Sequence, residues 1–209
     1  MVLGNMGTNC FIVSDEATSE AVVIDPGDQA YVIKDYLDGN GLKLQAILLT
    51  HGHFDHIMAV GELVSAYGVK VYAGAKEKEL LANADANLSR MTGKAYGIEA
   101  DEWLVEGQEI TFGNLQFRVI ETPGHTIGGV CFYCEKEGIL FAGDTLFCES
   151  IGRTDFPTGN YETLIRSIKE KLLKLPGTTR VYTGHGGDTL INYEAANNPF
   201  LDDEGGFWL

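Results

Sequence analysis

Every histidine in the chain follows closely on a strand-like run, and this constrains the fold more than any other feature of the sequence. Three of the five fall in Thr50-His51-Gly52-His53-Phe54-Asp55-His56, straight after the apolar run Ala46-Ile47-Leu48-Leu49. His125 stands in Thr122-Pro123-Gly124-His125-Thr126, just past Phe117–Glu121, and His185 in Thr183-Gly184-His185-Gly186-Gly187, just past Val181–Thr183. Asp144 occupies the equivalent place in Phe141-Ala142-Gly143-Asp144-Thr145. A single histidine is more often an ordinary core or surface residue than a ligand; this joint placement reverses that reading. Four strand ends carrying these groups must be able to meet at one point, held by a rigid sheet.

Hydropathy patterning supplies such a sheet core. Ala21–Ile24 is strand-like and stops at Asp25-Pro26-Gly27. Ala46–Thr50 is apolar without alternation, as in a strand covered on both faces. Further strands are predicted over 69–73, 109–112, 115–121, 130–134, 139–142 and 180–183, with a turn at Glu135-Lys136-Glu137-Gly138. Helical spacing predicts helices over 28–38 (Val32, Ile33, Tyr36 and Leu37 on one face), over 57–67 with Gly68 as the stop, and over 161–175 through Leu164, Ile165, Ile168, Leu172 and Leu175. Residues 76–97 read as helical and then irregular, and the polar, turn-rich stretch from Ala84 to Gly97 is a candidate for a loop over a substrate. Strands sometimes adjacent and sometimes separated by helices fit sheets covered by helices, an α/β class. No repeat, low-complexity stretch or linker divides the 209 residues, so one domain spanning 1–209 is expected.

Charge and cysteine content narrow the function classes. Fifteen basic against thirty acidic residues leave a net charge of −15, which repels a phosphate backbone and argues against nucleic-acid binding. No apolar run approaches the ~20 residues of a membrane span, and Met1–Thr8 has no signal-peptide pattern, so a cytoplasmic protein that does not enter membranes is expected. The four cysteines are expected to be free thiols. Cys131 and Cys134 form a C-x-x-C, but they lie in a strand-like run where positions three apart face opposite sides, so no redox or zinc pair is expected.

The donor types suit a metal. Zinc takes imidazole nitrogen and carboxylate oxygen at ~2.0–2.2 Å. With Gly52 permitting unusual dihedrals, His51 and His53 can reach one ion, while Asp55 and His56 start the next helix and face a neighbouring point. A carboxylate such as Asp144 has two oxygens and can bridge two ions; two metals ~3.5–4 Å apart can hold a hydroxide at neutral pH. Taken alone, Asp55 reads better as a helix N-cap and Asp144 as a turn residue; beside the histidines the ligand reading is the stronger.

Thr-His-Gly-His-Phe-Asp-His, followed in order by Thr-Pro-Gly-His-Thr, Phe-Ala-Gly-Asp-Thr and Thr-Gly-His-Gly, resembles the metallo-β-lactamase superfamily over nearly the whole chain. The resemblance implies an αβ/βα four-layer sandwich. It implies that His51, His53 and His125 hold a first metal, that Asp55, His56 and His185 hold a second, and that Asp144 bridges them. True β-lactamases generally lack that bridging aspartate, and diiron flavoprotein oxygen reductases carry a glutamate where His53 stands. The stretch Gly143–Phe147 through Ile151-Gly152-Arg153-Thr154-Asp155-Phe156 looks like the short, type II form of the glyoxalase II branch. Longer glyoxalase II enzymes continue into a helical domain that grips glutathione; no counterpart follows Asn197-Asn198-Pro199-Phe200, so that grip is expected to be absent.

The function this implies is hydrolysis of a small-molecule thioester of the hydroxyacylglutathione type, with a metal-bridging hydroxide as nucleophile and two divalent ions, zinc first and iron or manganese as alternatives. Asp55 and Asp144 are then both ligands and catalytic residues, Asp55 orienting the hydroxide. The alternative is a mononuclear iron persulfide dioxygenase using His51, His125 and Asp144, a two-His, one-carboxylate set. A third reading is a metal-binding protein acting on an unrelated ester or lactone, or on none. Arg153 is a candidate for binding a substrate carboxylate, with a structural ion pair to Asp155 as the competing role. Tyr133 and Tyr182 are expected in the core or its walls, and Cys148 has no assigned role.

Overall fold

A computed structural model describes residues 1–202; the last part of the expected domain, 203–209, lies outside the described residues. The chain opens with a short hairpin, β1 (Val2–Leu3) and β2 (Thr8–Asn9). The first half then runs β3 (Phe11–Ser14), β4 (Glu20–Ile24), α1 (Ala30–Gly39), β5 (Lys43–Leu49), α2 (Phe54–Ile57), α3 (Val60–Tyr67), β6 (Lys70–Gly74), α4 (Lys78–Ala82) and β7 (Glu102–Leu104). The second half runs β8 (Glu109–Phe112), β9 (Leu115–Glu121), β10 (Val130–Cys134), β11 (Ile139–Gly143), β12 (Leu146–Phe147), β13 (Ser150–Ile151), α5 (Tyr161–Glu170), β14 (Arg180–Thr183), β15 (Thr189–Leu190) and α6 (Ile191–Asn197).

Two mixed sheets result, one ordered β3-β4-β5-β6-β7 and the other β15-β14-β11-β10-β9-β8. The strand period of two sorts their side chains into layers. Val22, Ile24, Ala46 and Leu48 point inward and pack against Phe117, Val119, Val130, Phe132 and Phe141 of the other sheet. Ala21, Val23, Ile47 and Leu49 point outward under Ile33 and Leu37 of α1 and Val60 and Leu63 of α3. On the far side Ile120, Cys131, Leu140, Ala142 and Val181 take Leu164 and Ile168 of α5 together with Leu172. Helix, sheet, sheet, helix is the four-layer αβ/βα sandwich.

Several expectations change at element ends. The helix expected over 57–67 is two pieces, because the Ala59 N–H donates to the Pro26 carbonyl at 3.0 Å instead of continuing the ladder, and Gly68 then stops α3 in the left-handed region. The helix expected from 28 starts at Ala30, since Gln29 is left-handed (φ 51), and Tyr36 is 47% exposed rather than packed. The helix over 161–175 breaks at Lys171 and ends in a single tight turn, Leu172–Lys174. The helical reading from 76 holds only to Ala82, where the Asn83 side chain accepts from Asp85 N–H and turns the chain. The short strands β1, β2, β3, β7, β12, β13 and β15 and helix α6 carry too few residues for a periodic signal.

Cys131 and Cys134 fall in different cores, on opposite faces of β10. Cys10, Cys131 and Cys134 are buried and Cys148 is exposed. Burial pushes the Cys10 thiol up to about 12 and the Cys131 thiol up to about 11, so neither offers thiolate near neutral pH. Mass-spectrometric mapping after thiol alkylation of the native protein should find Cys148 modified first and Cys10 and Cys131 only on unfolding. A Cys131–Cys134 disulfide recovered from native protein would contradict the fold.

Candidate metal centre

The predicted residues meet where the strand ends of both sheets open into one cleft. β5 delivers Thr50 and His51. His53 stands just before α2, and Asp55 and His56 lie in that helix, so Asp55 is a first-turn residue rather than the cap. The loop from β9 to β10 delivers His125, the end of β11 delivers Asp144, and the end of β14 delivers His185. One ligand atom from each of His51, His53 and His125 lies within 4.8 Å of the others, and the same holds for Asp55, His56 and His185. Asp144 stands between the sets: its Oδ1 is 3.4 Å from His56 Nε2, and its Oδ2 is 3.6 Å from both His125 Nε2 and His185 Nε2.

Two glycines make the convergence possible. Gly52 is not in the left-handed region; its role is close approach, since a Cβ there would sit 2.7 Å from Leu80 Cδ2 and 2.9 Å from Leu81 Cδ2. A Cβ on Gly184 would sit 2.0 Å from Asp144 Oδ1 and 3.0 Å from His56 Cε1, so any larger residue would push the carboxylate out of the cluster.

Outward hydrogen bonds leave ring nitrogens facing inward. His125 Nδ1 donates to the Arg153 carbonyl at 2.7 Å, His56 Nδ1 lies 3.0 Å from Asp25 Oδ2, and His51 Nδ1 lies 3.2 Å from Thr50 Oγ1. His53 Nδ1 lies 2.9 Å from His125 Nε2. His51 Nε2, His53 Nε2, His56 Nε2 and Asp144 Oδ1 are buried without a hydrogen-bond partner. Buried polar atoms are rarely left so, and four in one cluster fit a cation as the common partner.

Electrostatics points the same way. Burial, reinforced by the neighbouring imidazoles, holds His51 well below the usual histidine range and His53 at about 3, so both offer lone pairs. Burial opposes a charge on His56 as well, but Asp144, Asp55 and Asp25 outweigh it and raise that ring well above the usual histidine range. Burial likewise pushes Asp55 and Asp144 up, and the nearby histidines outweigh it to keep both carboxylates ionised. A divalent ion between these groups would supply the positive charge that the carboxylates favour at His56.

Three further residues shape the site without a motif to announce them. Asp25 is 2% exposed and left-handed (φ 51); its Oδ1 accepts from Thr50 N–H at 2.8 Å and its Oδ2 from Thr50 Oγ1 at 2.6 Å, beside His56 Nδ1. Glu77 is fully buried and ties two ligand loops together, accepting from Gly52 N–H at 2.9 Å and Gly128 N–H at 2.7 Å. Thr8, at the start of β2, donates to Asp55 Oδ2 at 3.2 Å, next to His185 Nε2 at 3.2 Å from the same oxygen. An acid beside an apolar, strand-like or helical run is the one sequence signal for Asp25 and Glu77; Thr8 carries none.

The cluster forms the floor of a cleft of about 950 Å³. Arg153 lines it, but its guanidinium donates to both oxygens of Asp155, at 2.7 and 2.8 Å, and lies 3.7 Å from the centre of the Phe156 ring. The loop after α4 also borders the cleft through Leu88, Met91 and Thr92, within the stretch expected to cover a substrate. No described helix is long and apolar enough to cross a membrane.

Known proteins resemble the chain throughout. A hydroxyacylglutathione hydrolase, GloC of Haemophilus influenzae, is 36% identical over 200 residues, covering 94% of this chain and 93% of its own. The crystal structure of BLEG-1, named a B3 metallo-β-lactamase, superposes with a TM-score of 0.91 at 41% identity, covering 96% of this chain and 97% of that one. TTHA1623, crystallised in a di-iron-bound form, superposes with a TM-score of 0.86 at 38% identity over 96% and 98% of the two chains. The sequence profile of the metallo-β-lactamase superfamily matches residues 3–185, and the chain belongs to the metallo-β-lactamase superfamily.

Proposed function

We propose that the protein is a metal-dependent hydrolase of thioesters, of the hydroxyacyl-thiol kind. The observation that supports this reading is the position of Asp144 between two groups of converging donors, His51/His53/His125 and Asp55/His56/His185, beside an open cleft. Imidazole and carboxylate donors of this mix suit zinc or iron, and manganese after them. Bound there, a pair of divalent ions supplies a water of lowered pKa and polarises the carbonyl to be attacked.

The chain's own residues do the positioning. Asp55 Oδ2 is held by Thr8 and His185 and faces the cleft, where it can accept a hydrogen bond from the attacking water. Asp25 holds the Nδ1–H of His56, so the other nitrogen faces Asp55 and Asp144. Glu77 fixes the backbone of His51–His53 to that of the loop carrying His125. Water adds to the thioester carbonyl, the C–S bond breaks, and the products are a carboxylic acid and a thiol. The similarity to GloC supports the substrate class.

A second reading has its own observation. His51, His125 and Asp144 form a two-His, one-carboxylate set, with the two imidazole centroids 4.8 Å apart. A mononuclear iron dioxygenase of persulfides would use that set alone. It would leave Asp55 and His185, which line the cleft, and the buried His56 beside them without work, so the hydrolase is preferred. Metal analysis, thioester hydrolysis and oxygen uptake on one preparation separate the two: hydrolysis without oxygen consumption is expected, and persulfide-dependent oxygen uptake would favour the dioxygenase.

Two variants test the ligand assignment. Asp144→Ala should lower occupancy at both positions and His185→Ala mainly at the second. Full double occupancy in Asp144→Ala would refute the bridging role. Complete metal removal should lower the melting temperature, because ions that bind only the folded chain stabilise it by mass action.

Asp25→Asn tests the positioning role. Asparagine tolerates the left-handed backbone but offers an NH2 where His56 Nδ1–H now finds an acceptor, favouring the tautomer whose proton blocks the inward nitrogen. Metal affinity should fall by about 10- to 100-fold in chelator competition. Unaltered affinity would remove Asp25 from the account.

A further inference from the structure

Resting on the hydrolase reading, we propose that the arm of the substrate lying away from the scissile bond is apolar and uncharged, and that Leu88 is held against the cleft to select it. Three of the chain's four methionines, Met6, Met58 and Met91, line the cleft beside the ligands, joined by Phe54 and Leu88. They come from three separate segments: the β1–β2 turn, the end of α2 and the loop after α4. Met6 is 57% and Met91 77% exposed, a hydration cost that nothing in the fold requires. Methionine is unbranched and polarisable, and it adapts to apolar groups of varied shape.

Leu88 shows that this wall is built. Its backbone is left-handed (φ 67, ψ 4), where a γ-branched residue is strained and glycine or asparagine would be relaxed. The fully buried Asn87 enforces that conformation. Its carbonyl accepts from Phe54 N–H at 2.9 Å and its Oδ1 from Ser89 N–H at 2.9 Å; its Nδ2 donates to the carbonyls of Leu81 at 3.2 Å and Tyr96 at 2.8 Å. The strained residue is therefore locked to the first residue of α2, the helix that supplies Asp55 and His56.

Charge argues against an anionic arm such as that of glutathione. Among the described residues, Arg153 is the one lysine or arginine lining the cleft, and its charge is paired with Asp155 through Nε and Nη2. Asp28 also lines the cleft and would repel a carboxylate. An arm of methylene groups meets none of these costs and covers apolar surface that water now contacts.

The test uses the metal-loaded protein and S-lactoyl thioesters of straight-chain alkanethiols of increasing length, beside S-lactoylglutathione. Catalytic efficiency should rise about two- to fourfold per added methylene, up to the length of the wall. Leu88→Asn keeps the left-handed backbone and replaces the apolar contact, so it should flatten that dependence. Calorimetric binding of the matching alkyl thioethers, which cannot be hydrolysed, reads the same wall without turnover. Length-independent efficiency, or a preference for the glutathione conjugate, would overturn the proposal while leaving the hydrolase reading intact. Length-dependent thioether binding that Leu88→Asn abolishes, with no thioester hydrolysed, would keep the apolar wall and overturn the hydrolase reading. Absence of both would overturn both.

Discussion

The face-to-face packing of the two sheets is the contact on which everything else rests. Val22, Ile24, Ala46 and Leu48 on one side and Phe117, Val119, Phe132 and Phe141 on the other make a buried apolar layer. Because this layer is close-packed, the strands that cross it cannot shift independently. β5 in one sheet and β11 and β14 in the other end at the same edge, and His51, Asp144 and His185 follow those ends by only one or two residues. The precision of the cluster is thus inherited from apolar burial some distance away. A histidine on a long loop would not be held to a few tenths of an ångström in this way.

Precision alone would not gather these groups, because they repel. Asp25, Asp55 and Asp144 lie near one another with little exposure, and five imidazoles crowd the same space. The fold tolerates this by giving several of the groups an outward partner: Thr50 for Asp25, Thr8 for Asp55, the Arg153 carbonyl for His125. What the outward partners do not satisfy are the inward nitrogens of His51, His53 and His56 and one oxygen of Asp144. The unpartnered atoms and the surplus of carboxylates have one physical meaning: the site is incomplete without added positive charge. Over the apolar wall of Met58, Leu88 and Met91 the same cleft changes character from ionic to greasy, which separates the part that reacts from the part that chooses.

Much of this is legible in the residues. The gathering of the histidines and aspartates can be read because these residues, placed at several strand ends, seldom serve the core or the surface, and the long strands because their apolar runs are unbroken. Strand period alone puts Cys131 and Cys134 on opposite faces. Where the sequence misleads, the causes are physical. Periodicity predicts one helix over 57–67 because Met58 and Ala59 suit a helix, whereas the break is a tertiary hydrogen bond to Pro26. Gly52 reads as a dihedral requirement, but it answers to the side chains of Leu80 and Leu81, which no local pattern reveals. For Arg153 the sequence leaves substrate and Asp155 in balance, and the structure shows the ion pair formed. Glu77, Asp25 and Thr8 act through contacts between segments 25 to 51 positions apart, and a single sequence carries no trace of such pairing.

The central claim is that two cations share Asp144. Crystals of metal-loaded protein, measured at the absorption edge of the bound metal, test it most directly. Two anomalous peaks about 3.5–4 Å apart are expected, one among His51, His53 and His125 and one among Asp55, His56 and His185, with the Asp144 carboxylate between them. A single peak confined to His51, His125 and Asp144 in fully loaded protein would contradict the account.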